Sequence, residues 1–244
     1  MNKNEFTLRS FNEGGPIEYQ KGYTNFTGCK IDLSLQPMIP RKETEFWVKK
    51  AIREISRKAG SRYAGKINVL DVFSGSGCIG IAVLKNCPEQ CRRAIFAEIN
   101  KNFIKQIKIN LKLNKINPSR YKIIQSDIFK KIKGKLAPQW AGYDYIFANP
   151  PYIPLRNKHL IQKSVLDYEP HSALFGGDDG LLYIKKFLKD ARKYLKKDGK
   201  IYIEFDHFRK MELEALLKEL KYKNFKFHKD QFKKWRYVII FSKI

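Results

Sequence analysis

The chain has 244 residues, 43% of them hydrophobic and 30% charged, which is typical of a globular protein and excludes a disordered one. No apolar run reaches the roughly 18–20 residues that cross a bilayer, and the first twenty residues carry Glu5 and Glu13 without an apolar segment, so we expect a cytoplasmic protein with no membrane contact. The 49 Lys and Arg residues against 24 Asp and Glu residues give a net charge of +25. This charge has two equally weighted explanations: weak affinity for nucleic acid or the ribosome, or a lysine-rich composition without a functional role.

The cysteines give no metal-binding pattern. Of the four, only Cys87 and Cys91 are close, and three residues rather than two separate them. A structural zinc site would need a two-residue spacing and a second pair of ligands. We therefore predict reduced thiols in a reducing compartment and no metal. The acidic residues near the start also make a mitochondrial presequence the less favoured alternative to the cytoplasm.

The first part of the chain predicts a small appendage. Residues 1–16 are polar, and residues 17–36 alternate apolar and polar residues around turn residues Asn25 and Gly28, which predicts a β-hairpin. From Thr44 to about Lys58 apolar residues recur at helical spacing, and Gly60 ends the pattern. We assign residues 1–40 to an N-terminal tail and hairpin and residues 41–244 to the main domain.

From residue 67 onward, short apolar segments of the buried-strand type alternate with helical segments. The predicted strands are Ile67–Val72, Ala94–Ala97, Tyr121–Gln125, Tyr143–Ala148, Ile201–Phe205, Phe225–His228 and Arg236–Phe241. The predicted helices are Ile79–Lys85, Asn100–Leu113, Leu181–Leu195 and Met211–Leu220. This alternation predicts an α/β fold with a seven-stranded, mostly parallel sheet covered on both faces. Because only residues 229–235 join the last two strands, we expect the last strand to run antiparallel.

Three strand ends carry candidate ligand-binding residues. In sheets of this kind ligands bind beyond the carboxyl ends of the strands. The first strand runs into a turn whose glycines would let the backbone approach a ligand, although a tight turn without a ligand has the same pattern. Glu98 could accept the hydroxyls of a ribose and Asp127 an adenine amino proton, unless each is a solvated loop residue or a cap. Together they favour an adenosine with a non-phosphate tail, because the turn lacks a phosphate-cradling pattern. The turn consists of Phe73, Ser74, Gly75, Ser76 and Gly77.

The fourth strand ends in Asn149-Pro150-Pro151-Tyr152. The side-chain oxygen of Asn149 and the backbone carbonyl of Pro150 could accept both N–H bonds of a planar NH2 group and make its nitrogen more nucleophilic. The prolines would hold these acceptors in place, and Tyr152 would offer a flat face for stacking. A proline-stiffened loop with Asn149 as a turn residue is the alternative. The tetrad predicts catalytic roles for Asn149, Pro150 and Tyr152.

The motifs of residues 20–244 resemble, in order and spacing, those of the bacterial and organellar release factor glutamine methyltransferases. The matching elements are Ile-Pro-Arg-Lys-Glu-Thr-Glu at residues 39–45, the Asp71–Gly77 turn, the Asn149–Tyr152 tetrad, Tyr168-Glu169-Pro170, and residues 173–181 with two adjacent glycines followed by Asp-Asp-Gly-Leu. The Asn-Pro-Pro-Tyr tetrad is shared with adenine-N6 DNA methyltransferases. The first and last of these elements are more particular to the glutamine enzymes.

The resemblance implies a class I (Rossmann-like) methyltransferase that uses S-adenosylmethionine to methylate the glutamine of the Gly-Gly-Gln loop in peptide chain release factors. By position, Phe73–Gly77 would line the methionine and ribose, and Glu98 the ribose hydroxyls. Asp127 with Ile128 would line the adenine. Asn149, which would also face the cofactor, would grip the glutamine with Pro150, Pro151 and Tyr152.

The region after the tetrad has an open assignment. Glu169 would bind substrate, and residues 168–170 with 176–180 would form a flap over it or a helix cap. Arg41 and Thr44 could reach the site or merely begin a helix, and we assign neither a catalytic role.

The chain departs from the family pattern at two points. Phe73 stands where the family usually has glycine, so the cofactor loop is expected to be displaced or the Phe73 side chain turned away. The helical domain that usually precedes the hairpin is not evident. We expect positive surface charge to replace it partly in docking the release factor. We expect the protein to be a monomer. Two alternatives stay open: methylation of an exocyclic amine in DNA or RNA, and a catalytically silent RNA-binding module.

Overall fold

The computed structural model describes residues 15–57, 67–132 and 142–242. Its N-terminal part holds the short helix α1 (Ile17–Lys21) and an antiparallel hairpin of β1 (Tyr23–Phe26) and β2 (Cys29–Asp32). The hairpin is confirmed, but Asn25 lies within β1, and the turn is made by Thr27 and Gly28, both with positive φ. A turn with two consecutive positive φ angles favours glycine, and its backbone twist matches the right-handed twist of the two strands.

Helix α2 (Lys42–Ser56) follows the hairpin and begins two residues before the predicted start. The predicted end at Lys58, like the tail over residues 1–14, lies outside the described residues. The buried face of α2 carries Trp47, whose ring contacts Phe147, Tyr202 and Tyr237 at centroid distances of 5.9–6.0 Å. These contacts fix α2 on the main sheet.

The main sheet has seven strands in the order β5-β4-β3-β6-β7-β9-β8. In the described part of the sheet β9 runs opposite to the other six strands, which confirms the predicted α/β fold with an antiparallel last strand. The strands are β3 (Ile67–Val72), β4 (Cys91–Glu98), β5 (Tyr121–Gln125), β6 (Tyr143–Ala148), β7 (Leu195–Glu204), β8 (Phe225–Lys229) and β9 (Trp235–Phe241). The remaining helices are α3 (Cys78–Asn86), α4 (Lys101–Leu113), α5 (Lys163–Tyr168), α6 (His171–Leu174), α7 (Leu182–Ala191) and α8 (Lys210–Glu219).

The sheet separates two hydrophobic cores, as expected when both faces are covered. One core joins the hairpin, α2, α3 and α4 to one face of the sheet. The other packs α7 and α8 against the opposite face. The hairpin therefore shares a core with the main domain.

The segment between α7 and β7 differs from the prediction. The helix expected over Leu181–Leu195 ends at Ala191, and one 3-10 turn leads into β7 at Leu195, well before Ile201. Leu195 pairs with Tyr143, whereas Lys200 pairs with Tyr145, so the residues between them bulge out of the strand. Because Leu195 is buried at a position that also fits the helical period, its apolar character does not distinguish helix from strand.

Helix α4 holds the hairpin through buried side-chain amides. Asn110 accepts the N–H of Asp32 at 2.7 Å and donates to the Asp32 carbonyl at 3.2 Å. Asn114 makes the same pair of bonds with Lys30, at 3.2 and 2.8 Å. The two amides thus replace a neighbouring strand along the outer edge of β2. Asn110 also donates to the Ser76 carbonyl at 2.9 Å, which ties the hairpin to the turn after β3.

We predict that Asn110→Ala lowers the free energy of unfolding by about 2–3 kcal/mol, because it removes the partners of the partly buried Asp32 backbone and of the buried Ser76 carbonyl. Urea denaturation followed by circular dichroism measures the change. The matched control on the same helix is Asn102→Ala, whose side chain is exposed and whose effect should stay within about 0.5 kcal/mol. Equal losses in both variants would contradict the role of the amide ladder.

Candidate active site

Two cavities meet at the carboxyl ends of the central strands. The inner cavity, about 280 Å³, lies beyond the ends of β3, β4, β5 and β6, and the outer cavity, about 240 Å³, lies between the loop after β6 and α5–α6. Asn149 lines both cavities, as do Met38, Arg41 and Ala173. Of the predicted residues, the inner cavity is lined by Phe73, Ser74, Gly75, Ser76, Glu98, Asp127, Ile128, Asn149 and Pro151, and the outer one by Asn149, Pro150 and Tyr152.

The turn after β3 keeps its place at the inner cavity despite the bulky Phe73. The backbone of Phe73 has a φ of 59°, a region that favours glycine. Its ring packs against Tyr183 and Phe187 with centroids 6.3 Å away in each case. The aromatic packing offsets an unfavourable backbone conformation, and Phe73 still lines the inner cavity. Gly77 does not line the cavity, because it packs against Ile81 and Ile107 of the core.

The two predicted carboxylates are held differently. Glu98 is buried, and its two oxygens each accept a backbone N–H at 2.8 Å, from Gly75 and from Asn100. Burial raises the pKa of Glu98 above its usual value. Asp127 is more exposed and lies 2.7 Å from the ammonium group of Lys130. Both carboxylates nevertheless line the inner cavity, at the ends of neighbouring strands.

Asp71 joins the end of β3 to the first turn of α3 through a buried hydrogen bond. Its side chain is fully buried, and Oδ2 accepts the N–H of Gly80 at 2.9 Å. A side chain at Gly80 would place its Cβ 2.4 Å from the Phe96 ring, so glycine is required for this approach. Among the described residues Oδ1 has no hydrogen-bond partner. Burial raises the pKa of Asp71 to about 8.

Asn149 is oriented by a buried hydrogen-bond network centred on Glu204. The Glu204 carboxylate, at the end of β7, accepts bonds from the Thr44 hydroxyl at 2.8 Å, the Trp47 indole at 2.7 Å and the Tyr152 hydroxyl at 3.0 Å. Because the Thr44 proton points to Glu204, the Thr44 oxygen is an acceptor for the Asn149 amide nitrogen, 3.5 Å away. This arrangement leaves the Asn149 oxygen as the acceptor available to a ligand.

Burial also sets the protonation of this network. It raises the pKa of Glu204, an effect that the donors Trp47, Thr44 and Tyr152 and the charge of Arg236 oppose. Burial and the adjacent Glu204 carboxylate hold the pKa of Tyr152 well above its usual value. Tyr152 is therefore a neutral donor to Glu204, and its ring is fixed along the wall of the outer cavity.

Glu169 lies outside both cavities. Its buried carboxylate accepts bonds from the Arg41 guanidinium and from the Ile39 N–H, the latter at 3.2 Å. Arg41 itself lines both cavities. In this structure the enclosed Glu169 carboxylate fixes Arg41 in place and does not reach either cavity.

The glycine-containing segment at residues 176–180 braces the loop after β6. A Cβ at Gly176 would lie 2.5 Å from the Pro151 carbonyl oxygen, and one at Gly180 would lie 2.3 Å from the Tyr152 carbonyl oxygen. The segment lines neither cavity, and Asp179 accepts the N–H of Leu181 just before α7. This Asp179 bond closes a local turn two residues long, and no side chain caps α7, so neither of the two predicted roles is decided by these contacts.

Three residues of this site, Arg41, Thr44 and Glu204, have no role assigned from the sequence. Arg41 and Thr44 lie in the matched motif at residues 39–45, and this motif could have indicated that they belong to the site. Glu204 lies in the apolar strand segment predicted at Ile201–Phe205, where a carboxylate near the end of a buried strand was the available sign.

The described residues contain no group of three His, Cys, Asp or Glu side chains that could hold a metal ion. Nor does any described helix combine the length and apolar character needed to cross a membrane. All four cysteines are free and buried, and burial raises the pKa of each thiol.

Comparison with known proteins places the chain among methyltransferases. Residues 43–190 match the family model described as Conserved hypothetical protein 95. The chain is 31% identical over 229 residues to the release factor glutamine methyltransferase of Flavobacterium psychrophilum, covering 93% of this chain and 75% of that one. It is 32% identical over 226 residues to the enzyme of the same name from Streptococcus pneumoniae, covering 92% and 74%. The chain thus spans about three quarters of these two relatives.

Solved structures show the same fold at lower identity. The ribosomal protein L11 methylase of Lactobacillus delbrueckii subsp. bulgaricus matches with a TM-score of 0.55 at 16% identity, covering 84% of this chain and 80% of that one. TYW2 of M. jannaschii, solved in complex with AdoMet, matches with a TM-score of 0.53 at 15% identity, covering 90% and 84%. These likenesses establish a class I methyltransferase fold.

The raised pKa of Asp71 predicts a pH-dependent stability. Between about pH 4 and pH 8 the unfolded chain releases a proton that the folded protein keeps, so this group lowers the free energy of unfolding as pH rises. The contribution is on the order of 1 kcal/mol for each pH unit. Urea unfolding of wild type and Asp71→Asn at pH 5, 6 and 7 should show the variant gaining stability relative to wild type as pH rises. A difference independent of pH would contradict the assignment.

Proposed function

The chain belongs to the release factor glutamine methyltransferase family, and on this premise we propose that it transfers a methyl group from S-adenosylmethionine to the side-chain amide nitrogen (N5) of the glutamine in the Gly-Gly-Gln motif of a peptide chain release factor. The observation that carries the proposal is the position of Asn149, whose side chain lines both cavities. A group at that junction can touch a cofactor on one side and a substrate amide on the other.

The inner cavity fits S-adenosylmethionine by the chemistry of its walls. Glu98 has carboxylate oxygens that each retain acceptor capacity for a ribose hydroxyl beyond the one backbone bond described. Ile99, Phe103 and Ile128 provide an apolar site for the adenine, with Asp127 beside them as an acceptor for its amino group. Phe73–Gly77 would lie along the methionine and ribose. When bound, the cofactor supplies an electrophilic methyl group on a positively charged sulfur.

The outer cavity would receive the glutamine side chain. The Asn149 oxygen and the Pro150 carbonyl would accept the two N–H bonds of the amide, which draws its nitrogen toward pyramidal geometry and exposes the lone pair for attack. Pro150 and Pro151 hold the backbone, and Tyr152 provides the wall against which the planar amide packs. No strong base is needed, because the amide proton becomes acidic only after the new N–C bond forms.

We propose that Glu204 and Thr44 are positioning residues. An asparagine side chain can rotate to exchange its oxygen and nitrogen, and only one of the two orientations presents an acceptor to the substrate. The network from Glu204 through Thr44 to the Asn149 nitrogen favours that orientation. Glu169 has the equivalent role for Arg41, which lines both cavities.

The second candidate function is methylation of an exocyclic amine on a nucleic-acid base, since such enzymes share the Asn-Pro-Pro-Tyr tetrad. Family membership across 93% of the chain favours glutamine. For the whole protein we propose a cytoplasmic monomer with a release factor as its protein partner. The four buried free thiols suit a reducing compartment, and the net charge of +25 adds a weak attraction for nucleic acid.

The proposal predicts that the enzyme adds one methyl group to the Gly-Gly-Gln glutamine of the organism's release factor. Incubation with isotopically labelled S-adenosylmethionine followed by peptide mass spectrometry locates the modification. Asn149→Ala should lower turnover about 10²–10³-fold while cofactor affinity, measured by calorimetry, changes only a few-fold. A release factor whose glutamine is replaced should receive no methyl group. Labelling of an adenine-containing oligonucleotide in place of the peptide would support the second candidate.

The positioning role of Thr44 predicts a contrast between two substitutions. Thr44→Val removes the hydroxyl that joins Asn149 to Glu204, so kcat should fall about tenfold or more with a smaller change in KM for a Gly-Gly-Gln peptide. Thr44→Ser keeps the hydroxyl and should restore most of kcat. If serine is as damaging as valine, Thr44 acts through packing and the orientation of Asn149 depends on other contacts.

A further inference from the structure

Helix α4 presents a row of lysines on the side that faces away from the core. We call Lys101, Lys105, Lys108, Lys112 and Lys115 the lysine stripe. The first four are spaced four, three and four residues apart, which places them on one face of α4, and Lys115 follows just after the C-cap residue Asn114; all five are exposed. The opposite face is buried against the sheet and the hairpin, where Asn110 makes its bonds to β2. The direction of the stripe is therefore fixed by the packing of α4.

The lysine stripe has an unbalanced charge. Residues 99–126 contain seven Lys and Arg residues and no Asp or Glu. Other helices of the same protein pair their lysines with acids: Lys210 and Lys218 lie 2.6 and 3.1 Å from Glu214 on α8. Among the described residues, no stripe lysine has an acidic side chain within ion-pair distance. A uniform lysine-rich composition does not account for this local difference.

The C-terminal half of the lysine stripe forms one wall of an open groove of about 820 Å³. The other wall is the edge strand β5, which contributes Tyr121, Lys122 and Ile123. The groove lies at the amino end of β5, whereas the inner and outer cavities lie beyond carboxyl ends of the strands. A ligand in the groove would leave the methyl-transfer site open.

We infer that this groove binds the phosphodiester backbone of a nucleic-acid strand. From Lys101 to Lys112 the stripe extends about 17 Å along the helix, the length of about five nucleotides of one helical strand. Four lysines line the groove without a carboxylate among its walls, and each can neutralise a phosphate and release a counterion. Tyr121 is partly buried against the core and lines the groove, so the remainder of its surface offers a base a stacking contact.

An acidic protein segment is less well matched to these features. Stable protein interfaces place an apolar or aromatic cluster at their centre and keep lysines at the rim. Here the lysines line the groove itself. Their charges recur at regular intervals, as do the phosphates of a nucleic-acid backbone, which carries one charge per nucleotide. The inference is independent of methyl transfer, because none of the groove residues lines the inner or outer cavity.

The test measures binding of a fluorescein-labelled short oligouridylate and an oligothymidylate by anisotropy at several salt concentrations. The groove variant replaces Lys108, Lys112, Lys115 and Lys122 by Gln. The control variant replaces Lys49, Lys193, Lys210 and Lys218 by Gln; it loses the same net charge, but each of its lysines pairs with an acid in the wild type. Thermal unfolding and S-adenosylmethionine binding confirm that both variants are folded.

We expect the groove variant to lose at least about tenfold in affinity, and its slope of log affinity against log salt to fall by about 3, near 0.7 for each lysine removed. The control variant should keep most of the affinity, and both variants should methylate a free Gly-Gly-Gln peptide at the wild-type rate. Preference for uridylate or thymidylate distinguishes RNA from DNA as the source of the backbone. Equal losses in the two variants, absence of wild-type binding, or equally effective competition by polyglutamate would each overturn the inference.

Discussion

The site depends on one buried carboxylate. Glu204, fully enclosed at the end of β7, accepts bonds from the first turns of α2 through Thr44 and Trp47 and from the loop after β6 through Tyr152. A carboxylate without these donors would be costly to bury, so the three groups are held together by the need to satisfy it. This constraint sets the position of α2 against the sheet and, through Thr44, the orientation of Asn149.

A second set of buried polar contacts holds the N-terminal hairpin. The amides of Asn110 and Asn114 on α4 satisfy the outer edge of β2, and Asn110 reaches the turn after β3 at Ser76. The hairpin leads directly into the segment with Met38 and Arg41 at the junction of the cavities. Helix α4 thus contacts the hairpin and the turn beside the inner cavity, and its exposed face carries the lysine stripe.

The succession of strands along the chain, and the edge of the sheet at which the cavities lie, were predictable because both follow from local sequence patterns. Buried strands such as Tyr143–Ala148 are short apolar runs between turn residues, and chemistry at their carboxyl ends follows from the geometry of parallel sheets. The start of β7 was not predictable, since Leu195 fits a helical and a strand pattern equally well. Phe73 was a local conflict that only packing resolved: its ring fills a space beside Phe187 while its backbone adopts a conformation suited to glycine.

By itself the sequence determined the alternation of strands and helices, the Asn149–Tyr152 tetrad at a strand end and the family. Each of these can be recognised from short segments of neighbouring residues. Only the tertiary structure decided which polar groups meet. Thr44 and Glu204 are 160 residues apart along the chain and 2.8 Å apart in space, and Glu169 turns to Arg41 instead of the outer cavity. Such partners are selected by burial and by the need to satisfy hydrogen bonds after the elements have packed, and that selection has no local pattern in the sequence.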